Sequence, residues 1–287
     1  MRNFNYLALQ DSPWASEVRP LVAGVRDCAG RIERALAQAS GSELAALSEA
    51  ARVESTEASN AIEGIRASRA RIRELVLDGG VPETLAECAI AGYAEAHAVI
   101  LECWEAIPVT PNYLLQLHKI LFSHLEDPSA GRTKTVQNTI RATYPDGRTE
   151  TLFTPPAPYE TPGLLKEICE AYGEAITSPV AEPLLVIPVF IRDFLAIHPF
   201  NDGNGRMSRL LTTLLLLRCG FSLVRYVSLE SEIWKRQTLY YEALRAGQAG
   251  WHEGRDDPAA FVKFWLEAVL SASRRLEASL GRCGGEQ

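Results

Sequence analysis

The sequence predicts an all-α, mainly helical protein that carries one small β-hairpin. Through most of the chain, apolar residues recur at three- and four-residue steps, the spacing that one buried helix face requires. Two breaks divide these stretches, Asp78-Gly79-Gly80-Val81-Pro82 and Ile107-Pro108-Val109-Thr110-Pro111. Only between Gly131 and Thr154 does the pattern change, to β-branched residues on either side of a turn sequence.

Taken in order, Leu21 to Leu77 reads as two or more helices rich in Ala, Glu and Arg. Within it, Ile62, Ile65, Ile72 and Val76, with the stem of Arg69, mark one face of a helix expected over about 47–77. Ser59 and Glu63 are four apart and share a different face. Gly64 would cost about 1 kcal/mol relative to Ala in a helix interior, a loss that fits close approach of another segment. A further helix is expected from Glu83 to Ala106. Tyr113, Leu114, Leu117, Ile120, Leu121 and His124 mark an amphipathic helix, with His118 and His124 in or beside its packing face.

Thr133, Thr135, Val136, Thr139 and Ile140, then Thr149, Thr151, Leu152 and Phe153, favour strands, with Tyr144-Pro145-Asp146-Gly147 as the turn. Leu184 to Ile197 is apolar apart from Arg192 and Asp193 and reads as a buried core helix. The run Leu210 to Leu217 continues a helix toward a C-cap near Gly220. Ser231 to Ala246 reads as one helix. Pro258 opens a last helix that runs to about Leu280.

Composition excludes several classes. A net charge of -7 argues against a surface built to attract nucleic-acid phosphates. No apolar run reaches the ~18 residues of a membrane span, and Met1 to Tyr6 lacks the apolar region of a signal peptide. Cys28, Cys88, Cys103, Cys169, Cys219 and Cys283 are scattered without metal-type spacing, and the five histidines do not cluster. The expectation is a cytoplasmic protein with no membrane or nucleic-acid partner.

The chemistry concentrates in His198-Pro199-Phe200-Asn201-Asp202-Gly203-Asn204-Gly205-Arg206-Met207-Ser208-Arg209. Pro199 cannot continue the preceding helix and disfavours the α region at His198, so the imidazole stands at the end of a rigid element. Gly203 and Gly205 flank Asn204 in a turn that lets bare backbone approach a ligand. This turn opens the next helix, whose free N–H groups and dipole favour an anion. Arg206 and Arg209 are three apart on that helix. The segment reads as an anion site with two arginine clamps.

These residues match the signature of the Fic family, His-Pro-Phe-x-Asp/Glu-Gly-Asn-Gly-Arg-x-x-Arg, at every fixed position. Ser59-Asn60-Ala61-Ile62-Glu63-Gly64 resembles the family's inhibitory motif, Ser/Thr-x-x-x-Glu-Gly/Asn, in the subgroup whose inhibitory helix precedes the core. The resemblance implies a Fic fold with a Fic catalytic domain over 107–270. A helical region over 1–106 carries the inhibitory helix before it, and 271–287 form a helix end and tail. The hairpin becomes a flap over the active site, with Thr139 and Ile140 docking the target by strand addition. Lys134 stands where relatives often carry Arg. Tyr240-Tyr241-Glu242-Ala243-Leu244 resembles the segment lining the adenine pocket.

The implied activity is Mg²⁺-dependent transfer of AMP from ATP to a Ser, Thr or Tyr hydroxyl of a target protein. His198 would be the general base and Asp202 the Mg²⁺ ligand. Gly203, Asn204 and Gly205 would hold phosphate, the Asn204 side chain adding a donor, with Arg206 on the phosphate chain and Arg209 on the γ-phosphate. Glu63, with Ser59, would inhibit by pairing with Arg209. Removal of AMP and ATP sensing without turnover are the alternative activities. Self-modification and a homodimer are open expectations.

Overall fold

The structure is a computed structural model, and it describes residues 3–143 and 147–283. Eleven α-helices and one two-stranded sheet appear among these residues. They are α1 (Ala15–Leu36), α2 (Gly41–Ile62), α3 (Arg69–Leu77), α4 (Leu85–Cys103), α5 (Pro111–Leu121), β1 (Ile140–Thr143), β2 (Thr149–Phe153), α6 (Thr161–Thr177), α7 (Pro183–Ile197), α8 (Asn204–Arg218), α9 (Leu229–Lys235), α10 (Gln237–Gln248) and α11 (Ala259–Cys283).

At the centre lies α7, where every residue from Leu184 to Ile197 is buried. α6 and α8 pack beside it, and α10 and α11 also contact it. α1 lies along α11, and both contribute side chains to one continuous apolar core, for example Val25, Ile32, Leu266 and Leu276. A smaller cluster of Val53, Ile72, Leu75, Val76, Ile90 and Ala94 joins α2, α3 and α4. The mainly helical fold and the small hairpin agree with the expectation.

Three local expectations are corrected. The segment 47–77 is two helices with a turn between them. α2 ends with Glu63 as its C-cap and Gly64 at φ 77°. The Gly64 N–H bonds the Ala61 carbonyl and the Ile65 N–H the Asn60 carbonyl, a Schellman closure that favours glycine. Gly64 is therefore a helix stop. Ile72 and Val76 belong to α3 in the smaller cluster, whereas Ile62 joins the main core.

The segment Ser231 to Ala246 is likewise two helices, broken at Arg236 (φ -121°, ψ 34°). Finally, Thr133, Thr135, Val136 and Thr139 precede the first strand. Their backbone is recruited elsewhere: the Lys134 N–H bonds the Pro199 carbonyl and the Thr135 N–H the Asn201 side chain. β1 and β2 pair antiparallel, with Arg141 opposite Thr151 and Thr143 opposite Thr149. In the expected turn, Tyr144, Pro145 and Asp146 lie outside the described residues.

Candidate active site

The loop between α7 and α8 is held in an uncommon backbone conformation. His198 caps α7 at φ 50° and ψ 63°, and it is the non-glycine residue with positive φ among the described residues. Such a conformation costs a side-chain-bearing residue roughly 1–2 kcal/mol. Lys134 straddles it: its ammonium donates to the Ile197 carbonyl at 2.9 Å, and its backbone N–H to the Pro199 carbonyl at 2.8 Å. Burial pulls the Lys134 pKa down to about 8.

The Asn204 side chain is committed to the loop. Its Oδ1 accepts the Phe200 N–H at 2.9 Å, and its Nδ2 donates to the Phe200 carbonyl at 2.8 Å. The expectation that this side chain adds a donor for phosphate is corrected, because both its polar atoms are engaged. The amide N–H groups of Asn204, Gly205 and Arg206, in the first turn of α8, have no intrahelical acceptor.

His118 ties the same loop from the other side. Its Nδ1 accepts the Gly131 N–H at 2.9 Å, so Nε2 carries the proton and donates to the Asp202 carbonyl at 3.1 Å. The ring stacks on Phe200 with centroids 3.8 Å apart, and burial lowers its pKa to about 4. The two glycines act differently. Gly203 holds φ 79°, where a Cβ would also lie 2.7 Å from the Phe122 ring. At Gly205 a Cβ would lie 2.2 Å from the Glu63 carboxylate. Gly205 is bare because an anion rests against it.

Both clamp arginines are buried, with unequal partners. Arg206 lies over the Phe122 ring at 5.2 Å and 3.5 Å from the Asp202 carboxylate. Its Nε and Nη1 have no hydrogen-bond partner, and burial lowers its pKa. Arg209 Nη2 bonds the Glu63 carboxylate at 2.7 Å and the Ser59 carbonyl at 2.9 Å, while Nε donates to Ser59 Oγ at 2.8 Å. Glu63 and Ser59, 146 and 150 positions from Arg209, are thus brought onto the motif.

Two cavities meet here. One of about 480 Å³ runs from Glu63, His198, Gly205 and Arg209 to Tyr240, Tyr241, Leu244 and Gln248, under Ile140 and Leu152 of the hairpin. The other, about 360 Å³, is bounded by Glu63, His198, Asp202 and the Gly203–Arg206 turn. His198 borders both. Its Nδ1 lies 3.3 Å from the Leu195 carbonyl; a carbonyl only accepts, so Nδ1 carries the proton and Nε2 is the free base. Burial, reinforced by Lys134, lowers the His198 pKa to about 4, so the ring is neutral at pH 7.

Tyr240 is buried and Tyr241 is 45% exposed, both against the larger cavity. Thr139 precedes β1 and accepts a hydrogen bond from Arg141. The Asp202 side chain is 75% exposed and accepts the Gly203 N–H. Among the described residues no three His, Cys, Asp or Glu side chains cluster as a metal site. Sequence reasoning missed Gln248, whose buried Nε2 lacks a partner at the cavity wall. It also missed the loop-holding roles of Lys134 and His118. Periodicity gives no sign of any of the three, because each acts across the fold.

A helical core, an arginine-lined loop at a helix N-terminus and an overlying hairpin make up a Fic-type fold. Residues 108–216 match the Fic/DOC family. Over 108 residues it is 31% identical to protein adenylyltransferase fic-1 of Caenorhabditis elegans, spanning 38% of this chain and 19% of that protein. It is 29% identical over 113 residues to a Fido domain-containing protein of Dictyostelium discoideum, covering 38% of this chain and 75% of the relative. The fold resembles a Fic family protein from Desulfovibrio desulfuricans, with a TM-score of 0.67, 24% identity and coverage of 89% and 74% of the two chains. No helix among the described residues is long and apolar enough to cross a membrane.

Proposed function

We propose that this protein transfers AMP from ATP to a hydroxyl of a target protein, and that Glu63 restrains the reaction. The observation that carries this reading is the Glu63 carboxylate itself. It lies against Gly205 at the N-terminus of α8 and is bonded to Arg209, which puts an anion of the protein's own in an anion site. Similarity to proteins named adenylyltransferases supports the same reaction class.

In this reading the Nε2 lone pair of His198 takes the proton of the target hydroxyl. The oxygen then bonds the α-phosphorus as the bond to the pyrophosphate oxygen breaks. Arg206 pairs its free nitrogens with phosphate oxygens, and the backbone amides of Asn204, Gly205 and Arg206, which have no intrahelical acceptor, add donors. Arg209 takes the γ-phosphate once Glu63 swings away. Tyr240, Tyr241 and Gln248 enclose the base. Asp202 offers the single hard oxygen ligand that Mg²⁺ needs beside phosphate oxygens, and Mg²⁺ would supply charge neutralisation there. β1 has an unpaired edge among the described residues, where an extended target segment would add as a strand.

The test uses Glu63→Gly protein with Mg²⁺, lysate, and ATP labelled at the α- or the γ-phosphate, with Glu63→Gly/His198→Ala as control. Protein labelling from the α-label alone, lost in the control, is expected. Labelling from γ would replace this reading with a kinase-like reaction, and labelling from neither would favour AMP removal or ATP sensing.

A further inference from the structure

The segment that leads into the hairpin grips the His198 loop by its main chain. Lys134 is 2% exposed, and its ammonium donates to the Ile197 carbonyl at 2.9 Å and to Asn138 Oδ1 at 3.2 Å. Its backbone N–H donates to the Pro199 carbonyl at 2.8 Å. The Asn138 side-chain amide donates to the Phe200 carbonyl at 3.0 Å. The carbonyls on both sides of His198, the residue at φ 50°, are thus held by Lys134 and Asn138. Phe200 extends the contact to α8, because its carbonyl also accepts from the Asn204 side chain.

The same residues form the root of the hairpin. Thr139 alone separates Asn138 from β1. Gln137 Nε2 donates to the Pro155 carbonyl at 2.9 Å, just past the end of β2. The hairpin and His198 therefore share one set of anchors. Both acceptors of the Lys134 ammonium are neutral, so burying this charge costs stability, as its lowered pKa reflects. Stability alone does not account for a cation in this place.

We propose that Lys134 and Asn138 form a node that fixes His198 in register with the free edge of β1. The proposal rests on the reading that a target segment adds to β1 and gives its hydroxyl proton to His198. A strand added there takes its register from the β1 backbone, and its successive side chains point to opposite faces. Which hydroxyl reaches Nε2 is therefore set by how β1 stands relative to the loop. A displacement of about 1 Å between them is enough to lose on the order of a hundredfold in rate. Lys134 and Asn138 are positioning residues, since they act through the backbone on either side of His198.

The experiment measures single-turnover AMP transfer into lysate protein from α-labelled ATP, in Glu63→Gly protein carrying Lys134→Met, Asn138→Ala or both. Kd for ATP is measured by calorimetry in the same variants with His198→Ala added, where nucleotide is not turned over. Each single substitution should slow transfer about tenfold, the upper effect of one neutral hydrogen bond and the lower effect of a charged one. The ATP Kd should not change. The double variant should be no slower than the slower single one, because members of one node do not contribute independently. A folding defect would instead remove transfer and ATP binding together. Unchanged transfer in either single variant, ATP binding lost in step with transfer, or losses that multiply in the double variant would overturn the node. Asn138 is half-buried, so Asn138→Ala keeps the test open if Lys134→Met fails to fold. Hydrogen exchange adds a readout without turnover. Asn138→Ala should release the amides of 134–143 and 198–204 together, and release of one segment alone would also overturn the node. If the Glu63→Gly parent transfers no label, the adenylyl-transfer reading fails by itself, and the exchange result still decides the node.

Discussion

Removing the Glu63 carboxylate should raise the rate of AMP transfer by a calculable amount. Arg209 is buried and Glu63 is 34% exposed, with 2.7 Å between their charged atoms. A hydrogen bond to a charged group contributes about 1.5–3 kcal/mol. Solvent reaches one-third of Glu63, so the lower half of that range applies, about 1.5–2 kcal/mol. That corresponds to roughly 10- to 30-fold in the population with Arg209 free. Single-turnover transfer from α-labelled ATP should therefore rise by that factor in Glu63→Gly. Glu63→Gln should give a smaller rise, because its amide oxygen still accepts one hydrogen bond from the Arg209 guanidinium, without the opposite charge. The order wild type, Gln, Gly is the signature of a charge-assisted restraint. Equal rates in all three proteins would refute it, and a faster Gln than Gly variant would point to a role for the side chain in turnover.

In the Glu63→Gly protein, kcat/KM should hold down to about pH 5 as far as the base is concerned, because burial keeps the His198 pKa near about 4; a midpoint at pH 6.5 would contradict that environment. His118 has a folded pKa of about 4 against 6.5 when unfolded. Between those values only the unfolded chain takes the proton, so wild type should lose about 1.4 kcal/mol per pH unit as pH falls from 6.5 toward 4. His118→Gln should lack that increment in urea unfolding compared at pH 7 and pH 4.5, and parallel losses would refute it. Arg206 is a buried cation with two unpartnered nitrogens, so Arg206→Met should unfold at a higher temperature by about 1–2 kcal/mol of added stability while abolishing ATP binding. A less stable variant in a thermal melt would mean that Arg206 supports the fold.

The helices, their order and the turn of the 198–209 loop were legible in the sequence, because they rest on short-range rules. Helix periodicity, the Pro199 stop and the Gly203 turn are local, and each acts within a few residues. The helix stops at Gly64 and at Arg236 were less legible: a glycine within an apolar stripe fits both a tolerated interior position and a Schellman cap, and only the closed backbone bonds distinguish them. The stretch from Thr133 to Thr139 has strand-forming residues, yet its backbone donors are taken by Pro199 and Asn201, partners more than sixty positions away.

The sequence by itself determined a helical protein with one hairpin, and a histidine, a glycine turn and two arginines within twelve residues. Tertiary structure decided which arginine is occupied. Glu63 reaches Arg209 and leaves Arg206 with unpartnered nitrogens, while Asn204 spends its side chain on the loop. It also drew His118, Lys134 and Gln248 into the site. The reason is physical: a charge or a hydroxyl acquires its role from the partner it meets and from the water it loses, and both are set by packing between segments far apart in the chain.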